Sequence, residues 1–264
     1  LSSLPRGGDM YRALVRRETT TSMTPDEIFA LGEREVARIE GEMQGILKEV
    51  GFTGTLSAFA AKLDADPTMH FRDREDMLVF ERNIAKQAEP GLPALFKRLP
   101  RAPFGIRPTR PEVEAVTATY YDAPAVDGTR AGFVNLNTYR AETQVKYDKV
   151  SLILHEGVPG HHLQQSLQRE LTDTPDFRKS FRATAFSEGW GLYAESLGEE
   201  LGLYRDPIIL FGRLTSERFR AVRLVVDTGL HARGWSRQRA TDYFKEHAPT
   251  SSLAEIDRYV AQPA

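Results

Sequence analysis

Apolar residues recur at helical spacing through most of this chain, and that period limits its fold more than any other feature. Between Thr24 and Gly51, the residues Ile28, Leu31, Val36, Ile39, Met43 and Ile46 share one face. Thr24-Pro25-Asp26-Glu27 opens the run as a capping box with proline at the first helical position, and Gly51 stops it. Further helices are predicted over 55–64, 73–98 (interrupted near Pro90-Gly91), 140–170, 176–203, 207–233 and 237–247. Asp206 and Ser236 are N-cap residues for the last two, and Ser252–Glu255 opens another helix. The stretch Pro100–Pro111 holds four prolines and reads as loop. β-formers concentrate in Val116–Tyr121 and Ala131–Leu136, and Asp127-Gly128 between them is a turn signal, so a hairpin or small sheet is predicted. The expected fold class is therefore mainly α with a small β-element. A helical arm (1–100), a loop and β-element (101–138) and a helical core (139–264) are expected to form one cooperative unit.

Composition narrows the chemistry. There are no cysteines in 264 residues, which removes disulfides, thiolate metal sites and cysteine nucleophiles. A formal net charge of -2 argues against a nucleic-acid partner held by counterion release. No apolar run reaches the ~18 residues that span a bilayer. The chain begins at Leu1 without a leader and stops just after a helix has opened, so it reads as a fragment; a cell-envelope, periplasmic or cytoplasmic location stays open. Phosphate loops ending in Lys-Ser or Lys-Thr are absent, and so is Gly-x-Ser-x-Gly.

Three of the six histidines fall in His155-Glu-Gly-Val-Pro-Gly-His161-His162, after the apolar run Val150–Leu154. The zinc-peptidase signature sets two histidines at i and i+4 with Glu after the first. Here the spacings are i+6 and i+7. In a straight helix His161 would lie about 120° around from His155, and His162 about 10 Å along the axis. Neither suits one ion. Pro159 removes an intrahelical hydrogen bond and Gly160 relaxes the backbone. A two-residue bulge would return His161 to the face of His155, with Glu156 beside a metal water as general base. The plain alternative is a kinked helix with polar histidines.

A catalytic zinc takes three protein ligands. Phe186-Ser-Glu188-Gly-Trp190-Gly-Leu-Tyr193-Ala-Glu195 places Glu188 and Glu195 on one helical face beside Trp190 and Tyr193. Glu188 is the candidate third ligand, and Glu195 is a candidate orienting partner for a ligand histidine. Arg220, Arg223, Asp227 and His231 form a polar stripe on the next helix. That stripe is either a salt-bridged face or a cleft wall. Beside a metal, His231 could donate to a developing oxyanion, Arg223 could clamp a substrate carboxylate, and Asp227 could support a ligand.

His155-Glu-Gly-Val-Pro-Gly-His-His-Leu-Gln164, Phe186–Glu195 and Arg223-Leu-Val-Val-Asp-Thr-Gly-Leu-His231 with Gly234-Trp235 resemble the bacterial DUF885 family, whose members carry lipoprotein or hydrolase descriptions. Asp127-Gly-Thr-Arg130, Asn135 and Thr19–Thr21 also match it, so the resemblance covers essentially the whole chain. It implies a helical, zinc-peptidase-like fold. It favours His161 over His162 as second ligand, with Glu156 as base and Glu188 as third ligand. It also implies that the 131–137 segment, with Asn135, is an edge strand lining the cleft beside the active-site helix. Gly157 and Gly191 stand where the family often has Ala; each is expected to loosen its helix by about 1 kcal/mol at most, touching no ligand. Family members run on past the equivalent of Arg258-Tyr259 and start earlier than residue 1.

These readings combine into an expected peptidase with one Zn2+ per chain, held by His155, His161 and Glu188 and acting on small peptide substrates. His231 or Tyr193 would stabilise the oxyanion. The rivals are a non-catalytic metal- or peptide-binding helical module and a metal-free interaction domain. The oligomeric state is not legible.

Overall fold

The structure, a computed structural model, describes residues 4–248 and 253–262. The chain divides into two compact units, one of residues 1–59, 183–185 and 214–264 and the other of residues 60–182 and 186–213. This replaces the expected division at 100 and 138, because the first unit is completed by helices from the far end of the chain.

The first unit contains α1 (Gly7–Thr19), α2 (Pro25–Glu49), most of α11 (Pro207–Ala232), α12 (Arg237–His247) and α13 (Leu253–Ala261). The predicted capping box is present: the Thr24 side chain accepts from the Glu27 N–H, and the Glu27 carboxylate accepts from the Thr24 N–H. The predicted apolar face of α2 is buried at Ile28, Val36, Ile39, Met43 and Ile46. Ser236 caps α12 as expected. Ser252 lies outside the described residues, and the helix expected there runs over Leu253–Ala261.

The second unit carries the end of α3 (Leu56–Asp64), then α4 (Arg74–Ala88), α5 (Leu92–Leu95), β1 (Phe104–Pro108), α6 (Pro111–Glu114), β2 (Tyr120–Asp122) and β3 (Gly132–Leu136). After these come α7 (Lys149–Glu156), α8 (His161–Arg169), α9 (Asp176–Ser180), α10 (Thr184–Ser196) and the start of α11 (Pro207–Ala232). Asp206 caps α11, accepting from the Ile208 N–H. The expected hairpin exists: β2 runs antiparallel to β3, pairing Tyr120 with Asn135 and Asp122 with Phe133. The proline-rich stretch is not all loop. Phe104–Pro108 forms β1, parallel to β3, with its prolines at or outside the strand ends, where a missing N–H costs no ladder bond. The strand order β1-β3-β2 puts β3 in the middle, so the 131–137 segment is not an edge strand.

The fold buries α7 on two sides. Ile153 packs with Ile106, Val134 and Leu136 of the sheet and with Met77, Leu78 and Ala85 of α4. Val150 and Leu154 pack with Ala88 and Tyr204. That is why Val150–Leu154 reads as a continuous apolar run, and it fixes the C-terminal end of α7, where His155 and Glu156 sit.

Candidate metal centre

The chain breaks between His155 and His161 more sharply than a bulge would. The Gly157 N–H closes α7 on the Ile153 carbonyl. A short turn containing a cis Val158-Pro159 bond follows, and α8 starts at His161. The His162 N–H then reaches back to the Gly157 carbonyl at 3.0 Å. Gly160 makes the reversal possible: a Cβ there would collide with the carbonyl oxygen of His155. The turn achieves what the bulge was invoked to do. The rings of His155 and His161 meet edge to face, with centroids 4.7 Å apart. Ligand atoms of His155, Glu156 and His161 lie within 4.8 Å of one another, and all three residues are buried.

α10 supplies the rest. Trp190 pins it to the turn by donating from Nε1 to the Pro159 carbonyl at 2.9 Å. Glu188 then places Oε2 3.3 Å from His155 Nε2 and Oε1 3.6 Å from His161 Nε2. Four ligands around zinc at 2.0–2.1 Å stand about 3.3–3.4 Å apart along a tetrahedron's edge. The distances from Glu188 to the two imidazoles are close to the edge of a zinc ligand set, while Glu156 lies within 4.8 Å of both histidines. Glu195 Oε1 is 2.8 Å from His155 Nδ1, the predicted orienting contact, which turns Nε2 toward the centre.

Three carboxylates around two imidazoles make a strongly negative cage. Burial opposes a charged His155, but the hydrogen bonds to Glu188 and Glu195 and the charges of Glu195 and Glu156 outweigh it and push His155 up to about 9. Hydrogen bonds from His155 and His161 hold Glu188 well below the usual carboxylate range. His161 Nδ1 is buried with no hydrogen-bond partner, so that ring is oriented by packing and by its Nε2 contact with Glu188. Nitrogen and carboxylate donors together suit zinc or a divalent ion of similar taste.

His162 is set aside as the alternative ligand. Its Nε2 is 3.0 Å from the Ala102 carbonyl and its Nδ1 is 2.7 Å from the Tyr121 hydroxyl, so both nitrogens are occupied. Burial pushes it down to about 4. Tyr193 lies on α10 against Trp190, with its side chain half exposed. Asn135 is not free to bind substrate: its side-chain oxygen accepts from Arg107 and its NH2 donates to Asp122, tying three strands together.

His231, Asp227 and Arg223 belong to the first unit and are engaged there. His231 Nε2 is 2.8 Å from the Tyr259 carbonyl, so that N–H is not available to an oxyanion. Asp227 accepts from the Tyr11 hydroxyl at 2.6 Å rather than from a ligand histidine. Arg223 lies over the Phe219 and Tyr259 rings, 3.7 Å from Glu255, rather than serving as an open carboxylate clamp. The polar stripe is thus a bonded seam within its own unit. Gly191 corrects a further expectation: a Cβ there would stand 2.5 Å from His155 Cε1, so this glycine does bear on a candidate ligand.

Fold and site together describe a mainly helical protein with a candidate metal centre built on a broken helix. The chain belongs to the bacterial family of unknown function DUF885, whose model matches residues 2–264. It is 34% identical, with a TM-score of 0.94, to a solved structure described as a "putative lipoprotein" from Colwellia psychrerythraea, over 99% of this chain and 46% of that one. The chain thus spans less than half the length of that protein. No curated protein matches it. Among the described residues, no helix is long and apolar enough to cross a membrane.

Proposed function

We propose that this chain carries the centre of a zinc-dependent peptidase acting on the amide bonds of small peptides. The observation that supports this most is the convergence of His155 Nε2, His161 Nε2 and the Glu188 carboxylate at 3.3 and 3.6 Å, with Glu156 beside them. One zinc ion per chain, bound there, would supply Lewis acidity and a water that ionises near neutral pH. Glu156, on the last turn of a buried helix, takes the proton of the attacking water and delivers it to the leaving amine. Glu195 keeps the His155 ring in place through Nδ1. Tyr193 is the candidate donor to the developing oxyanion, since His231 is committed to Tyr259.

Elemental analysis of tag-free protein tests the ligand set. About one zinc per chain is expected, lost in Glu188→Ala and kept in Glu156→Gln. Hydrolysis of a small-peptide mixture should fall by roughly 10²–10⁴-fold in Glu156→Gln. Absence of zinc even when it is offered ends this reading. Zinc without hydrolysis in the parent leaves a non-catalytic metal-binding module.

A further inference from the structure

Behind His162 lies a cavity of about 360 Å³ that the metal centre does not use. The same two groups that hold the His162 ring from this side, the Ala102 carbonyl and Ser166, also line the cavity. Three arginines border it, Arg101, Arg130 and Arg169, with Asp127 and Glu170 as the acidic lining. The two carboxylates are spent locally. Glu170 accepts from the Arg101 N–H at 2.8 Å and from its Nε at 3.2 Å. Asp127 turns into its own loop, accepting from the Thr129 N–H and hydroxyl.

Arg130 and Arg169 differ from Arg101. Among the described residues neither meets a carboxylate. Arg130 donates to the carbonyls of Ala123 and Ala131, and Arg169 to the carbonyl of Pro124. Carbonyl anchors fix a guanidinium without neutralising it, and each keeps further N–H donors for a bidentate oxyanion. Ser166, buried at the cavity wall, adds a hydroxyl.

α8 sets the distance to the metal centre. Ser166 and Arg169 follow His161 by five and eight residues, about 7.5 and 12 Å along the axis. At about 3.3 Å per extended residue, that is the reach of roughly two to four residues.

We propose that Arg130 and Arg169 bind the C-terminal carboxylate of a peptide whose cleaved bond lies a few residues away at the His155–His161 centre. This rests on the peptidase reading and adds a substrate class, short peptides with free C-termini, which moves the carboxylate clamp from Arg223 to these two arginines.

The test measures binding rather than turnover, on full-length Glu156→Gln protein. N-acetyl-tetraalanine and its C-terminal amide are titrated at up to millimolar concentration, with inorganic phosphate as competitor. The free acid should bind at least tenfold more tightly than the amide. Arg130→Gln and Arg169→Gln should each abolish that preference with zinc content unchanged. Arg130 is exposed, so its variant keeps the test valid if Arg169→Gln misfolds. Phosphate should displace the acid and not the amide. Equal binding of acid and amide, binding of neither, or a preference that survives both substitutions overturns the proposal. Peptide hydrolysis with equal binding removes the pocket and leaves the peptidase reading. Arginine-dependent acid binding by a protein whose parent never hydrolyses peptides does the reverse.

Discussion

His155 shows how tightly one side chain is held. Glu195 bonds one edge of its ring, Glu188 faces the other, and the bare Cα of Gly191 lies against the ring's own atoms. Gly191→Ala would put a methyl 2.5 Å from Cε1. Either the ring or α10 must move, and both carry candidate ligands. Zinc affinity is expected to fall by roughly 10–100-fold, the usual cost of disturbing a ligand's support. Competition with a chromogenic chelator checks it, and unchanged affinity would show that the contact is slack. The sequence offers no sign of this role, because a glycine's neighbours across the fold are not written beside it. His162 makes the complementary point. By sequence it rivals His161, yet the Ala102 carbonyl and the Tyr121 hydroxyl, 60 and 41 positions away, absorb both its nitrogens.

At the scale of the element, α4 carries a buried anomaly. Met77, Leu78, Glu81, Ala85 and Ala88 form its inner face, and neither carboxylate oxygen of Glu81 has a hydrogen-bond partner. Burial pushes Glu81 up to about 8, against the pull of Lys149. The folded chain therefore keeps this acid neutral up to about pH 8, while the unfolded chain ionises it near 4.5. Between those values the unfolded state binds fewer protons than the folded one, so stability falls as pH rises. The contribution is full below 4.5 and lost through about pH 8. Glu81→Gln should remove that slope and gain on the order of a few kcal/mol at pH 8 relative to the parent. Urea unfolding of both proteins at pH 5 and pH 8 measures it. Parallel pH dependences would mean that Glu81 is ionised and solvated in the native state. The helix over 73–98 is predicted from the sequence, but the burial of Glu81 on its inner face depends on what α4 packs against.

For the whole molecule, an ion bound at the candidate centre would be a stability term. A ligand that binds only the native chain stabilises it by about 2.7 kcal/mol at a hundredfold excess over Kd. Calorimetry should show Tm rising with added zinc and falling with a chelator, and much less so in Glu188→Ala; a Tm indifferent to both would mean that no ion binds the native chain. The convergence of His155, Glu156, His161, Glu188 and Glu195 could be anticipated from sequence because it is local: the first three straddle one turn, and Glu188 and Glu195 share one helix face. Helix periods, caps at Thr24, Asp206 and Ser236, and the hairpin were legible for the same reason, since each is written in a few adjacent residues. Three things were not. Phe104–Pro108 became a strand only because β3 lay open to pair with it, which proline content cannot reveal. The stripe Arg223–Asp227–His231 could be a salt-bridged face or a cleft wall from its spacing alone, and the bonds to Glu255, Tyr11 and Tyr259 decide for a bonded face. The two compact units cut across the expected boundaries because α11–α13 return to α1 and α2. Periodicity and spacing record what a residue does to its neighbours in the chain. Which donor meets which acceptor across tens or hundreds of residues is decided by packing, and only the tertiary structure carries that.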